Sequence, residues 1–597
     1  MNMITSAFNI TFVSPRVATE RTFKTREGAE LFFRHWPAQS GKPAGAIVLF
    51  HRGHEHSGRM AHLVDELAMP EYAVYAWDAR GHGRSPGERG DAPSFGTAVQ
   101  DVDDFINTIV KTDGIKSEDI AIIAQSVGAV LVSTWVHDYA PKIRAMVLAS
   151  PAFGVKLYVP FARQGLAIQK AVRGNFFVNS YVKARFLSHD AARIASYNSD
   201  PLITRAVSVR MLLGLYDAAD RVVRDAQAIT VPTQVLISGA DWVVRHGPQH
   251  EFFVNLGSHT KERHVLDGFY HDTLGEKDRH LATGKITAFL KDVFARPCET
   301  IDLRDAHRAG YTRTEAERLA TPLSIARPRG AYWALGRLGM KIGGLISDGI
   351  AVGHKTGFDS GSMLDYVYRN KASGKTALGR FVDRSYINAV GWKGIRQRKL
   401  NAEALINRAM EDLKEAGKPV RVLDIAAGHG RYVLEALTAG KVRPDSILLR
   451  DYSDINVAAG SRLISALGLS ELARFEKGDA FNAESIAEIA PNPTVGIVSG
   501  LYELFPDNDM IARSLSGMAR ALPQNGYLVY TCQPWHPQLE LIARTLTSHR
   551  AGQPWVMRRR SQSEMDQLVA AAGFEKIEQR IDEWGIFTVS LARKTKV

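Results

Sequence analysis

Ser126 stands where a short apolar run, Ile120-Ala121-Ile122-Ile123, gives way to Ala124-Gln125-Ser126-Val127-Gly128-Ala129-Val130. Small residues on both sides of a serine let a strand and a helix close on a sharp turn that exposes the hydroxyl as a nucleophile. Ordinary strand–helix turns can carry the same motif, so the partners decide. A serine becomes reactive when a histidine takes its proton and a carboxylate orients that histidine. After such an elbow the chain order is serine, acid, histidine. Asp241 follows a β-type run at 233–238, and His271 follows another at 264–266, so the order Ser126, Asp241, His271 is met. Asp217, Asp220 and Asp225 are rival acids and His264 is a rival base; the first three read as helical residues and His264 as part of a strand. Two more loops, at 51–59 and 78–85, follow apolar runs and should lie at carboxyl ends of strands, where open α/β sheets bind ligands. The first of these should supply an oxyanion-hole amide, together with the amide of Val127.

A second pattern lies far downstream. Val420-Arg421-Val422-Leu423-Asp424 reads as a strand, and Ala426-Ala427-Gly428-His429-Gly430 as a small-residue turn into a helix. Such a turn lets backbone approach a ligand closely. A second run at 446–450 ends in Asp451, placed to accept hydrogen bonds from ribose hydroxyls. A third ends before Asp479 and Ala480, beside the expected adenine. The competing reading is a dinucleotide dehydrogenase, but Gly428-His429-Gly430-Arg431-Tyr432-Val433 lacks the third glycine of that fingerprint. Asp424 before the turn would repel a pyrophosphate, whereas it suits the cationic amino-acid end of S-adenosyl-L-methionine. Ala426 in this turn adds a methyl that the turn should tolerate. His536, His549 and Tyr502 are candidate bases for an oxygen acceptor, with a structural role the simpler reading of a histidine such as His536.

The strings Glu55-His56-Ser57-Gly58-Arg59 and Arg80-Gly81-His82-Gly83-Arg84-Ser85 resemble the monoacylglycerol lipase/lysophospholipase group of α/β-hydrolases across the first 295 residues. That resemblance implies a cap over the active site, fatty-acyl esters as substrates, and Gly53 as the first oxyanion amide with Val127 as the second. The chain departs from the group at Arg52 and His54, where glycines are usual; a side chain at either place would narrow the site or disturb the hole. From about Gly330 onward the chain resembles a family of class I methyltransferases that occurs fused to such hydrolases. The strings that carry this are Gly357-Phe358-Asp359-Ser360-Gly361, Asp365-Tyr366-Val367-Tyr368-Arg369-Asn370, Gly394-Ile395-Arg396-Gln397-Arg398-Lys399 and Gln533-Pro534-Trp535-His536-Pro537-Gln538.

These residues need two α/β frameworks to hold them: an α/β-hydrolase fold with a helical cap, then a Rossmann-like class I methyltransferase domain. The 597 residues exceed one core and suit two or three domains. The expected division is a hydrolase at 1–298 with its cap at about 152–231, a basic linker with connecting helices at 299–356, and a methyltransferase at 357–597. Within the linker, 330–353 is rich in glycine and apolar residues and reads as a helix, either interfacial or packed on the second domain; its few cations favour packing. Two distant cysteines, Cys298 and Cys532, make no disulfide framework and no cysteine zinc site, and no metal centre is expected.

Residues 1–15 show no basic and apolar signal pattern, and no window reaches the length of a spanning helix, so the expected location is the cytoplasm. A net charge of +12 favours anionic partners, but the bases are dispersed, without the run of a nucleic-acid arm. The cap mixes Leu157-Tyr158-Val159-Pro160-Phe161 and Phe176-Phe177-Val178 with Lys156, Arg163, Lys170 and Arg173. That mixture suits small-molecule or lipid substrates and peripheral association with an anionic membrane at its inner face, or a lid packing its apolar face down. Three functions fit: a bifunctional enzyme of lipids, one of soluble esters and small methyl acceptors, or one in which one domain is inactive and serves as a scaffold.

Overall fold

The computed structural model describes residues 16–180, 182–550 and 552–595, without the side chains of 438 and 439; the expectation about residues 1–15 lies outside them. The chain divides into two compact units, Met1–Thr300 and Ile301–Val597.

The sheet of the first unit uses β1 (Thr19–Lys24), β2 (Glu30–Trp36), β3 (Ala46–Phe50), β4 (Ala73–Trp77), β5 (Ile120–Gln125) and β6 (Ala145–Ala149). After an excursion containing a small hairpin, β7 (Phe177–Asn179) and β8 (Ala206–Ser208), it adds β9 (Thr233–Ser238) and β10 (Lys261–Leu266). The order is β1-β2-β4-β3-β5-β6-β9-β10, with β2 antiparallel to its neighbours and β4 through β10 parallel. This is the α/β-hydrolase fold. Strands β3 to β6 are apolar throughout because helices such as Phe95–Asp113, Val127–Tyr139 and His280–Ala295 cover both faces. The excursion between β6 and β9 carries helices Ala162–Arg173, Ala191–Ser199 and Val209–Arg224, over the segment read as a cap.

The second unit holds β11 (Arg421–Asp424), β12 (Ser446–Asp451), β13 (Ala473–Lys477), β14 (Val495–Val498), β15 (Tyr527–Cys532), β16 (Phe574–Ile581) and β17 (Thr588–Lys594). Their order is β13-β12-β11-β14-β15-β17-β16, all parallel except β17. The strand order reverses between β11 and β14, which opens a crevice at their carboxyl ends. The reversed β17 between β15 and β16 gives the sheet its class I methyltransferase form.

The segment expected to be a linker is built into this unit. Leu319 and Ile350 share a core with Phe358, Leu539 and Ile542. Gly353 lies on helix Asp348–Thr356, and a Cβ there would lie 2.3 Å from the Phe358 ring, so this contact needs a glycine. Helix Pro328–Ile346 packs on Leu539–Thr545, as the packed-helix reading expects, but by one face only. Leu335, Leu338, Ile342 and Leu345 stay exposed, as do Leu378 and Phe381 on Ala377–Ile387, which packs beside it. Among the described residues no helix is long and apolar enough to cross a membrane.

Candidate functional site

Ser126 lies between β5 and helix Val127–Tyr139 at φ 54°, ψ −112°, a conformation L-residues rarely adopt. The turn is tight enough that a Cβ on Gly128 would fall 2.4 Å from the His51 carbonyl, and Ala124 is fully buried. Small residues flank the serine for this steric reason. Ser126 Oγ lies 2.8 Å from His271 Nε2, and His271 Nδ1 lies 2.8 Å from Asp241 Oδ2. All three are nearly excluded from solvent. Burial alone would raise the Asp241 pKa, but the charge and hydrogen bond of His271 and the amides of Val243 and Val244, 2.7 and 3.0 Å from Oδ1, bring it below the usual range.

The rivals are engaged elsewhere. Asp217 and Asp220 pair with Arg163, Asp225 bonds to His137 at 2.7 Å, and His264 sits on β10 beside Glu262. Gly53 and Val127 are neighbours, with Val127 Cγ2 3.1 Å from the position of a Gly53 Cβ. Both border the cavity that Ser126 and His271 enter. The cavity holds about 740 Å³, and Trp77, Phe95, Leu131, Leu166, Val207 and Met211 make its wall largely apolar.

The Arg52 side chain lies in a buried charge cluster. Its Nη2 donates to Glu55 at 2.8 Å, its Nε is 3.7 Å from Asp272, and its guanidinium covers the Tyr197 ring. Arg59 donates to the same Glu55 at 2.6 Å, and Arg193 to Asp272 at 2.9 Å. His54 has φ 72°, in the left-handed region that favours glycine. Its ring borders the cavity, and burial with the nearby Arg52 charge lowers its pKa to about 4, so at neutral pH it adds bulk without charge.

In the second unit the turn after β11 has Gly428 and Gly430 at φ 59° and 73°, and a Cβ on Gly430 would meet Leu449 at 2.4 Å. Asp424 is fully buried. Tyr432 donates to its Oδ2 at 2.5 Å and the Ala426 amide to its Oδ1 at 3.1 Å. Burial outweighs these bonds and pushes its pKa up to about 7. Asp451 Oδ2 accepts the Gly428 amide at 2.9 Å, and its Oδ1 accepts from Ser453 and Asn456. Asp479 is exposed at the end of β13, where one oxygen accepts the Phe481 amide.

Ala426, Gly428, Gly430, Asp451, Asp479 and Ala480 all line one cavity of about 710 Å³. Asp424 sits behind that wall, beneath Ala426 and Tyr432, instead of lining it. The sequence reading missed Asp365, which lines the cavity, accepts from Arg431 at 2.6 Å and faces His429; these partners outweigh burial and bring its pKa to about 2. Asp365 lies in one of the family strings, the only signal for it. His549 also lines the cavity and pairs with Asp359 at 3.0 Å. Tyr502 does not belong to either site. Its ring is in the core, its hydroxyl donates to Ser514, and burial raises its pKa, so it cannot act as a base. The lining suits a nucleoside bearing an amino acid: the carboxylates Asp451 and Asp479 at the ends of two successive strands, a glycine turn, and the edge-to-face pair Phe481 and Phe505 along the wall.

The two frameworks and their cavities define a serine-hydrolase-type domain joined to a methyltransferase-type domain. The chain belongs to the family described as "Putative methyltransferase", whose model matches residues 286–594. A second model, described as "Serine aminopeptidase, S33", matches residues 41–278. The chain is 55% identical over 580 residues to "Uncharacterized protein YnbC" of Escherichia coli, covering 97% of this chain and 98% of that one. It is 29% identical over 250 residues to a monoglyceride lipase of Rattus norvegicus, covering 41% of this chain and 80% of that one. The solved monoacylglycerol lipase of Paleococcus ferrophilus superposes with a TM-score of 0.39 at 22% identity, over 46% of this chain and 99% of that one.

Proposed function

We propose that the first unit hydrolyses long-chain acyl esters of the monoglyceride or lysophospholipid type, and that the second transfers methyl groups from S-adenosyl-L-methionine. The Ser126–His271–Asp241 relay opening into a large apolar cavity carries the first half. Ser126 Oγ attacks the ester carbonyl as its proton passes to His271 Nε2, and Asp241 steadies the imidazolium through Nδ1. The amides of Gly53 and Val127 receive the oxyanion. His271 protonates the leaving alcohol, and water then releases the acid by the same relay. The monoglyceride lipase relative and the apolar wall favour a lipid over a soluble ester. A fluorophosphonate label on Ser126 tests the nucleophile.

The second half rests on the strand-end carboxylates Asp451 and Asp479 and the glycine turn around one cavity, with Asp424 buried behind its wall. Asp451 would hold the ribose hydroxyls, Asp479 the adenine amino group, and Asp424 would act through the wall on the amino-acid end. When bound, the donor supplies an activated methyl on sulfur. Asp424 makes binding pH-dependent. Its carboxyl is largely protonated below pH 7, and a nearby cationic ligand favours the ionised form, so affinity should rise as pH rises. Between pH 5.5 and 7, affinity for S-adenosylhomocysteine should rise by up to about tenfold per unit, with proton release on binding. Calorimetry in buffers of different ionisation enthalpy measures both, and Asp424→Asn should abolish the release. A flat profile in the wild type would remove this role.

Both units support association with an anionic membrane surface. Phe161, Ile168 and Val172 are exposed on the cap beside Arg173, and Leu335, Leu338, Ile342 and Leu345 on the second unit beside Arg337 and Lys341. The protein should float with vesicles containing anionic phospholipid at low salt and dissociate at high salt. Leu338→Asp with Ile342→Asp, or Phe161→Asp, should weaken flotation about tenfold or more, given the transfer value of a buried apolar side chain. Equal binding to neutral and anionic vesicles would exclude the charge contribution.

A further inference from the structure

Beside the cavity at the glycine turn lies a smaller one of about 200 Å³, and Asp359, Leu364, Gly500 and Leu504 border both. Tyr386, Trp392, Trp555 and Phe587 supply aromatic wall to the smaller cavity. Four buried polar atoms on the residues around it have no hydrogen-bond partner among the described residues: Arg398 Nε, Glu503 Oε2, Gln533 Nε2 and Trp555 Nε1. Native proteins leave few such atoms, and several around one cavity indicate a ligand that completes them.

The chemistry of the wall selects that ligand. Three of the four atoms are donors and one, Glu503 Oε2, is an acceptor. Arg398 Nη1 lies 3.7 Å from Glu503 Oε1, so the pair neutralises itself and favours neither a cation nor an anion. Asp359 on the shared wall is engaged by Ser548 and His549. His536 is no base: its Nδ1 already accepts the Gln538 amide at 3.0 Å, and burial lowers its pKa to about 3. Glu503 is fixed from the sheet. The Gly500 amide donates to Thr531 Oγ1 at 2.8 Å, and Thr531 Oγ1 donates to Glu503 Oε1 at 2.6 Å. Gly500 and Glu503 follow β14 and Thr531 belongs to β15, so the free oxygen stands at the carboxyl edge near the switch point. The volume falls below the roughly 300–1,000 Å³ of drug-sized pockets, which suits one or two rings and excludes an intact acyl lipid.

We propose that this cavity is the methyl-acceptor site, that it takes a neutral one- or two-ring compound bearing a hydroxyl beside a second oxygen, and that Glu503 takes the hydroxyl proton. The inference rests on reading the larger cavity as the methyl-donor site. The bond that forms joins the hydroxyl oxygen to the methyl carbon. The bond that breaks joins that carbon to sulfur, its electron pair staying on sulfur, and the proton goes to Glu503. Gln533 and Arg398 donate to the second oxygen and hold the ring in register.

The full-length protein tests this in two stages. Calorimetry with S-adenosylhomocysteine comes first; a folded protein giving no heat overturns the methyl-donor reading, and this inference with it. With that ligand bound, quenching of tryptophan fluorescence is titrated with catechol, 2,3-dihydroxynaphthalene, naphthalene, benzoate and benzylamine. Catechol and 2,3-dihydroxynaphthalene should saturate, and the two charged rings should bind at least tenfold more weakly. Glu503→Gln should keep S-adenosylhomocysteine affinity, weaken the hydroxylated rings by no more than about tenfold, and leave naphthalene unchanged. Methyl transfer to the tightest-binding ring, followed by mass, should fall about 100-fold or more in that variant, the range for losing a proton acceptor. Charged rings binding as tightly as catechol, no quenching while S-adenosylhomocysteine binds, or no methyl transfer by the wild type to a ring that binds would each overturn the acceptor site alone.

Discussion

Ser126→Ala should lower turnover of an acyl ester by about 10⁴–10⁶-fold and abolish labelling by a fluorophosphonate. The magnitude follows from the relay acting as one unit. Without the hydroxyl, His271 has no proton to take and the oxyanion amides act only on attack by water. His271→Ala should therefore cost nearly as much as the serine variant, and the double variant little more. Equal labelling of wild type and Ser126→Ala would show that another residue is the nucleophile. The fold should survive the substitution, because Ser126 holds its backbone through the turn: its amide donates to the Ala149 carbonyl at 3.0 Å and its carbonyl accepts from Ala152 at 3.1 Å. Unchanged thermal unfolding beside lost labelling would separate chemistry from stability.

The arrangement of Ser126, Asp241 and His271 was legible because each residue follows a strand of one parallel sheet. Strand ends can be read from apolar runs, and a parallel sheet brings its carboxyl ends together whatever the sequence distance. The fate of Arg52 was not legible. Its partners are Glu55, three residues on, and Asp272, on the loop after β10. Only the fold brings Asp272 within reach, so the sequence could show that a glycine was missing and not where the side chain would turn. At His54 the residue type conflicts with the backbone, and φ 72° makes the conflict visible.

In the second unit the acids at 451 and 479 could be read for the same reason as the triad. Asp424 could be located but not its burial, since burial depends on Tyr432 folding back over it. By sequence the stretch 330–353 reads as one helix with sparse cations; it folds as two helices broken at Ser347, and the apolar residues of the first, Pro328–Ile346, exceed what one packed face can cover, so the surplus remains exposed. Glu503, Arg398 and Gln533 carry no local pattern. They gather because β14, β15 and the long helix Val390–Glu415 meet at one edge. Tyr502 shows the converse: adjacent to Glu503 in sequence, it points into the core.

The substrate of the first unit should declare itself through chain length. Each methylene moved from water into an apolar cavity gains about 0.8 kcal/mol, roughly a fourfold change in kcat/KM when that gain is kept in the transition state. Over the six methylenes separating butyryl from decanoyl esters the rise should approach about 10³-fold, then level off when the cavity is full. Apolar walls from helices Phe95–Asp113 and Val127–Tyr139 on one side, through Phe95 and Leu131, and from the cap on the other, through Leu166 and Met211, would leave such a chain little contact with water. The measurement compares glycerol monoesters of increasing length, each below its aggregation threshold, so that micelles do not mimic the effect. Leu131→Trp or Met211→Trp, which fill the cavity, should move the plateau to shorter chains while short-ester turnover persists. A soluble-ester enzyme would instead peak at short chains and respond little to either substitution; that outcome would leave the Ser126 relay in place and remove the lipid as its substrate.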